Sequence, residues 1–204
     1  WHYGLLTLKQ IAWATEDYLP EIAIEDHPDF PRRSIMLDVS RNKVPKLETL
    51  FYLIDLFSSW KINELQLYIE HAFAYEGHET VWRNASPLTQ DNIKDLDAYC
   101  QERFIELVPN LNCFGHMSRW LTHEPYNQLA EQPEGGETDF GYRPEPQGLC
   151  PIDPGSINLA QDLIEQITAC FESKQINVGC DETIDLGYGR SIQAVEDHGR
   201  GQVY

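Results

Sequence analysis

Short apolar runs alternate with longer amphipathic stretches along most of this chain. Residues 34–39 read Ser-Ile-Met-Leu-Asp-Val, a β-like run. Pro45 then opens a segment in which Leu47, Leu50, Phe51, Ile54 and Phe57 recur at helical spacing. Residues 64–69 (Glu-Leu-Gln-Leu-Tyr-Ile) form a second strand. Thr89 caps a second helix that carries Ile93, Leu96 and Cys100 on one face. Residues 104–108 are a third strand, stopped by Pro109. Pro154, after Asp153, starts a third helix with an inner face of Leu159, Leu163, Ile164, Ile167, Cys170 and Phe171. Residues 175–179 are a fourth strand, and a last helix holds Ile192 and Val195 and ends near Gly199. Residues 1–32 read as a lead-in: a short helix over 5–12, then Ile22-Ala23-Ile24, Pro28 and Pro31.

Strand and helix alternate four times, so parallel strands joined by right-handed crossovers are expected. An open doubly wound sheet and a (β/α)8 barrel both fit. The chain has neither a GxGxxG after its first strand nor a P-loop. In either architecture chemistry gathers at the C-terminal ends of the strands. Those ends carry Asp38, Glu70-His71, Asn110 and Asn112 followed by Gly115-His116, and Asp181-Glu182. The connections 72–88 and 120–153 are long, and long connections in a compact domain are usually functional or disordered.

Composition narrows the function classes. The 204 residues are 42% hydrophobic and 24% charged, enough to bury a core, so wholesale disorder is excluded. With 15 Lys+Arg against 33 Asp+Glu the formal charge is −18, which argues against nucleic-acid or anionic-membrane partners. No run of about 20 apolar residues suggests a membrane span. Five scattered cysteines form no CxxC pair and read as buried free thiols of a reducing, cytoplasmic setting. The chain begins at Trp1, so its first residues are silent about a leader. His71, His78, His116 and His123 have no HxH or HExxH spacing, and no metal is expected.

The sharpest motif is Asn177-Val178-Gly179-Cys180-Asp181-Glu182-Thr183. Two adjacent acids after a strand can be a helix N-terminus, where the dipole favours them. They can also divide labour, one as a general acid and its neighbour as a substrate anchor. Glu70-His71 can be a solvated pair or a carboxylate that orients a histidine or contacts hydroxyls. His116 and Arg33 each have an ordinary structural reading beside a ligand-binding one. Trp82, Trp120 and Tyr75 are expected to pack, although an exposed indole would offer a face to a sugar ring.

Residues 33–41, Arg-Ser-Ile-Met-Leu-Asp-Val-Ser-Arg, resemble the first barrel strand of glycoside hydrolase family 20, the β-N-acetylhexosaminidases. Val178-Gly179-Cys180-Asp181-Glu182 resembles that family's Asp-Glu signature at the fourth strand, and Phe114-Gly115-His116 its Gly-His after the third. Residues 3–8 and 26–31 resemble the stretch that enters the barrel. The resemblance implies that Glu182 is the general acid/base and that Asp181 holds the substrate 2-acetamido group while its carbonyl attacks the anomeric carbon. It implies that Arg33 binds hydroxyls of the terminal sugar and that His116 sits near the acids, linked to a carboxylate at the second strand end. With Arg33, Glu70 and His116 are the candidate substrate-binding residues, and the partner of His116 stays open because the second strand ends in Glu70-His71. The implied partner is an N-acetylhexosamine-containing glycan, with no metal or organic cofactor. Glu70-His71 replaces an Asp-rich strand end, and Cys180 and Ser34 stand where glycines are commoner.

A (β/α)8 TIM-type barrel takes about 250 residues. The expectation is therefore a lead-in over 1–32 and the first four βα units of such a barrel over 33–204. A half barrel leaves an open edge and an exposed inner face, so the isolated chain is expected to be inactive and association-prone. Two rivals stand beside this reading. One is a conventional glycosidase in which Glu70 and Glu182 share the work, and the other is a non-catalytic carbohydrate-binding barrel.

Overall fold

The computed structural model describes residues 1–15, 18–41 and 43–204. Its strands are β1 (Ser34–Asp38), β2 (Glu64–Ile69) and β3 (Glu106–Leu111). The helices are α1 (His2–Thr15), α2 (Leu47–Ser59), α3 (Glu79–Trp82), α4 (Gln90–Gln101), α5 (Ser118–Leu121), α6 (Glu124–Asn127), α7 (Pro154–Thr168), α8 (Ile192–His198) and α9 (Arg200–Val203). The strands pair in parallel in the order β1-β2-β3, with Leu37 opposite Leu67 and Ile69 opposite Leu111. The fold is an incomplete parallel sheet with alternating helices, a partial (β/α) barrel that does not close.

The two faces of the sheet differ. Leu65, Leu67 and Ile69 of β2 share one buried cluster with Leu50, Ile54 and Phe57 of α2, Ile93 and Leu96 of α4, and Leu159, Leu163 and Ile167 of α7. The alternate positions are Glu64, Gln66 and Tyr68, with Glu70 next in line, and they bond to one another and across to β3. Gln66 Nε2 donates to Glu64 at 2.9 Å, Asn110 Nδ2 to Gln66 at 2.9 Å, and the Tyr68 hydroxyl to Glu70 at 2.8 Å. Parallel strands covered on both faces are usually apolar throughout. Here the second face is polar instead, and it leads to the polar groups at the C-terminal strand ends.

Local chemistry sets the helix starts. Thr89 accepts from the Asn92 N–H while Asn92 accepts from the Thr89 N–H, a capping box that begins α4. Asp153 accepts from the Gly155 N–H at 2.8 Å ahead of Pro154, the first residue of α7. Its other oxygen meets Arg190 at 2.6 Å, and that bond holds the Asp153 carboxyl below its usual range. Two buried acids fasten the long 120–153 connection to the segment after the Asp-Glu motif. Glu131 accepts from the N–H groups of Gly189 and Ser191 and from the Ser191 hydroxyl, and Asp185 accepts from the Gly148 N–H.

The structure corrects several expectations. The fourth strand is absent among the described residues; 175–179 makes a single parallel bridge, Asn177 to Asn110. Asn177 donates to the Pro109 carbonyl and accepts from the Leu111 N–H. The next rung would need an N–H from residue 109, and proline has none. On the other side Gly179 and Cys180 turn to φ 67 and 68, out of the strand region. Pro109 also fails to end β3, which runs through it to Leu111, because the missing donor falls on the open side of the sheet. The lead-in helix is longer than expected, and none of its residues is buried.

Candidate active site

The C-terminal strand ends converge on one polar group. Asp38 closes β1, and its Oδ1 accepts from the N–H groups of Ser40 (2.8 Å) and Arg41 (3.0 Å). Burial opposes ionisation of Asp38, but these bonds and the Arg41 guanidinium hold its carboxyl below the usual range. The same turn swings Arg41 back to Asp38 Oδ2 at 3.0 Å and to Glu70 Oε1 at 3.2 Å, above the Tyr68 ring. Glu70 is fixed on every side. Its N–H donates to Ser40 Oγ at 2.8 Å, its carbonyl accepts from Trp120 Nε1 at 2.8 Å, and its carboxylate takes the Tyr68 hydroxyl. Burial first, and then that bond to Glu70, pushes the Tyr68 phenol well above its ordinary value.

His116 joins the two halves of the group. Arg41 Nη2 lies 3.3 Å from His116 Nδ1, and Glu182 Oε2 lies 3.2 Å from His116 Nε2. A guanidinium can only donate, so the hydrogen-bond network assigns the ring proton to Nε2, facing Glu182. Glu70 is 3.8 Å from Nδ1, an electrostatic neighbour and not a hydrogen-bond partner. Asp181 Oδ2 is 3.9 Å from Nε2, and Asp181 Oδ1 accepts from Asn112 Nδ2 at 3.1 Å.

The backbone is bent to bring these side chains together. Among the described residues six non-glycine positions have positive φ, and His116, Cys180 and Glu182 are three of them. Each such conformation costs on the order of 1 kcal/mol and is common where function fixes the geometry. Gly115 is required for close approach, because a Cβ there would lie 2.3 Å from the Asp181 carbonyl oxygen. Gly179 combines φ 67 with a Cβ position 2.4 Å from Asn112 Oδ1. Glu182 borders a cleft of about 450 Å³ edged by Phe140 and Tyr204, with Asp139 and Arg200 behind. Both rings are exposed and offer flat apolar faces at sugar-ring size.

Cys180 and Cys113 meet under this group, each sulfur within 3.5 Å of the Val178 carbonyl oxygen. The bond between the thiols pulls Cys180 down to about 7 and drives Cys113 up, with burial adding to the rise. The other four cysteines are buried. At neutral pH iodoacetamide should therefore alkylate Cys180 first, as read by peptide mass spectrometry. Labelling of Cys113 at an equal rate would contradict this assignment.

Of the residues singled out in the sequence, Glu70, His116, Asp181 and Glu182 come together. Arg33 does not join them. It precedes β1 and lies at the opposite end of the strands, about a strand length of 17 Å away. There its Nε donates to the Lys61 carbonyl at 2.7 Å and its Nη1 to those of Phe30 and Pro31. Trp120 and Tyr75 pack in the core, as their ordinary reading expects. Arg41 and Tyr68 are the members of the group that sequence reasoning missed. The available signal for Arg41 was its i+3 spacing from Asp38.

Acids, an imidazole and a guanidinium gather at the C-terminal strand ends of an open parallel sheet, the architecture of a partial (β/α) barrel. Residues 30–199 match the model of the glycosyl hydrolase family 20 catalytic domain, and the chain belongs to that family. It is 25% identical over 207 residues to a beta-hexosaminidase of Porphyromonas gingivalis, covering 88% of this chain and 26% of that protein. It is 28% identical over 160 residues to hexosaminidase D of Bos taurus, covering 78% of this chain and 43% of that protein. The chain thus spans less than half the length of these relatives. Among solved structures it resembles the family 20 exo-β-N-acetylglucosaminidase of Vibrio harveyi in complex with N-acetylglucosamine. That match has a TM-score of 0.71 and 19% identity, over 87% of this chain and 32% of that one. The β-N-acetylhexosaminidase of Streptomyces coelicolor gives a TM-score of 0.69 at 22% identity, over 89% and 41%.

Proposed function

We propose that the protein built on this chain removes terminal N-acetyl-β-D-hexosamine residues from glycans, with the substrate's own amide as nucleophile. The observation that carries this reading is the adjacent pair Asp181 and Glu182, with Glu182 facing both His116 and an aromatic-edged cleft. Glu182 gives its proton to the glycosidic oxygen as the bond to the anomeric carbon breaks. The acetamido carbonyl oxygen attacks that carbon from the other face and closes an oxazolinium-like ring. Asp181, anchored through Oδ1 by Asn112, keeps Oδ2 for the acetamido N–H and stabilises the positive charge that develops there. Glu182 then takes a proton from water, which opens the ring with net retention. His116 and Arg41 orient Glu182. Glu70, its side chain 10% exposed and bonded to Tyr68 and Arg41, is suited to positioning and poorly placed to be a nucleophile.

The test compares an aryl N-acetyl-β-glucosaminide with the matching aryl β-glucoside, using a protein in which the barrel is complete. Hydrolysis of the first alone is expected. Equal cleavage of both would favour the conventional two-carboxylate mechanism, and saturable binding without turnover would favour a non-catalytic barrel. The 204 residues alone are expected to be inactive, since the side chains of Asp181 and Glu182 are 63% and 65% exposed.

A further inference from the structure

A second cleft, of about 670 Å³, opens among the connections that follow β1, β2 and β3. None of Asp181, Glu182, His116 or Arg41 lines it. Its wall carries Lys43, His71, Arg119 and His123, with Asn84 and Thr122 as neutral donors, and no carboxylate. That composition is unexpected in this chain, where 33 acids face 15 Lys+Arg. Five other arginines pair with acids, namely Arg32 with Glu64, Arg41 with Asp38 and Glu70, Arg103 with Asp55, Arg190 with Asp153 and Arg200 with Asp139, while Arg33 and Arg83 donate to backbone carbonyls. Arg119 and Lys43 make no side-chain hydrogen bond or ion pair among the described residues. The His71 ring is half-buried in the wall, with a buried Nδ1 that has no partner. Burial, and then the Arg119 charge, lowers its pKa.

We propose that this cleft binds a tetrahedral oxyanion, phosphate or sulfate, free or as a monoester on a sugar. Two full positive charges and two imidazoles line the cleft with neutral donors, and among the described residues no carboxylate lines it, although the Glu70 charge reaches the His71 ring. A tetrahedral dianion supplies enough acceptor oxygens for guanidinium, ammonium and ring N–H donors together. Because the molecule as a whole is strongly negative, long-range attraction does not bring an anion here. Recognition has to come from these short-range donors, and it weakens as salt rises. The site is independent of the proposed hydrolysis.

Isothermal titration of the chain with inorganic phosphate, sulfate, N-acetylglucosamine 6-phosphate and plain N-acetylglucosamine tests the proposal. One saturable phosphate site is expected, also filled by sulfate and untouched by the plain sugar. Arg119→Gln and Lys43→Gln should each weaken it about tenfold, in line with the loss of one charge-assisted bond. Tighter binding of the sugar phosphate than of free phosphate would assign the oxyanion to a glycan ester, and equal or weaker binding to the free ion. Both substituted residues are exposed, so circular dichroism should report unchanged folding. The proposal is overturned if the folded chain shows no saturable phosphate binding. It is equally overturned if the double variant binds phosphate as the parent does.

Discussion

Replacing Glu182 by Gln in a protein with a complete barrel is expected to lower kcat/KM on an aryl N-acetyl-β-glucosaminide by about 10²- to 10⁴-fold. The amide keeps the shape of the side chain beside His116 Nε2, so the geometry survives while the transferable proton does not. The loss should shrink for aryl leaving groups of low pKa, which depart with little protonation. Asp181→Asn should behave differently. It keeps the bond from Asn112 but removes the charge that stabilises the developing oxazolinium-like ring, so its loss of roughly 10²- to 10³-fold should be similar for every leaving group. Initial rates across a leaving-group series separate the two roles. A Glu182→Gln protein with near-parental turnover would remove the general acid from this account.

Trp120→Ala should produce the largest loss of stability, about 3–5 kcal/mol by denaturant titration. The indole is fully buried, with Tyr75, His78 and Tyr126 rings at 5.3–5.6 Å, and its N–H bonds the Glu70 carbonyl at 2.8 Å. Removing it leaves a cavity and an unpaired buried carbonyl at Glu70, the residue bonded to Arg41 and Tyr68. Trp120→Phe retains most of the volume and loses only the bond, so about 1–3 kcal/mol is expected. A loss below about 1 kcal/mol for the alanine variant would show that the surrounding rings collapse into the space.

Features of the fold that depend on neighbouring residues were legible in the sequence. The alternation of Leu65, Leu67 and Ile69 with polar positions marked β2 to its last residue, and Thr89 and Pro154 marked helix starts that the structure reproduces. Features that depend on a partner were not. Residues 175–179 look like a strand, yet a strand exists only where a neighbour offers a ladder, and Pro109 withholds a donor on that side. The acids of the site were visible because adjacent carboxylates after an apolar run are unusual. Arg41 was not, because its bonds to Glu70 and His116 span 29 and 75 positions and exist only in the folded chain. Arg33 was grouped with the acids through the family resemblance, although a residue that precedes a parallel strand starts at the end opposite the chemistry.

The claim on which the mechanism stands is that the substrate amide, and no side chain, attacks the anomeric carbon. Its most direct test is the rate of hydrolysis of aryl β-glucosaminides whose N-acetyl group carries successively more fluorine. Each fluorine withdraws electrons from the carbonyl oxygen, so kcat/KM should fall steeply and progressively through the series. A flat series would mean that the amide takes no part in the attack, and would contradict the assignment of Asp181 and Glu182 made here.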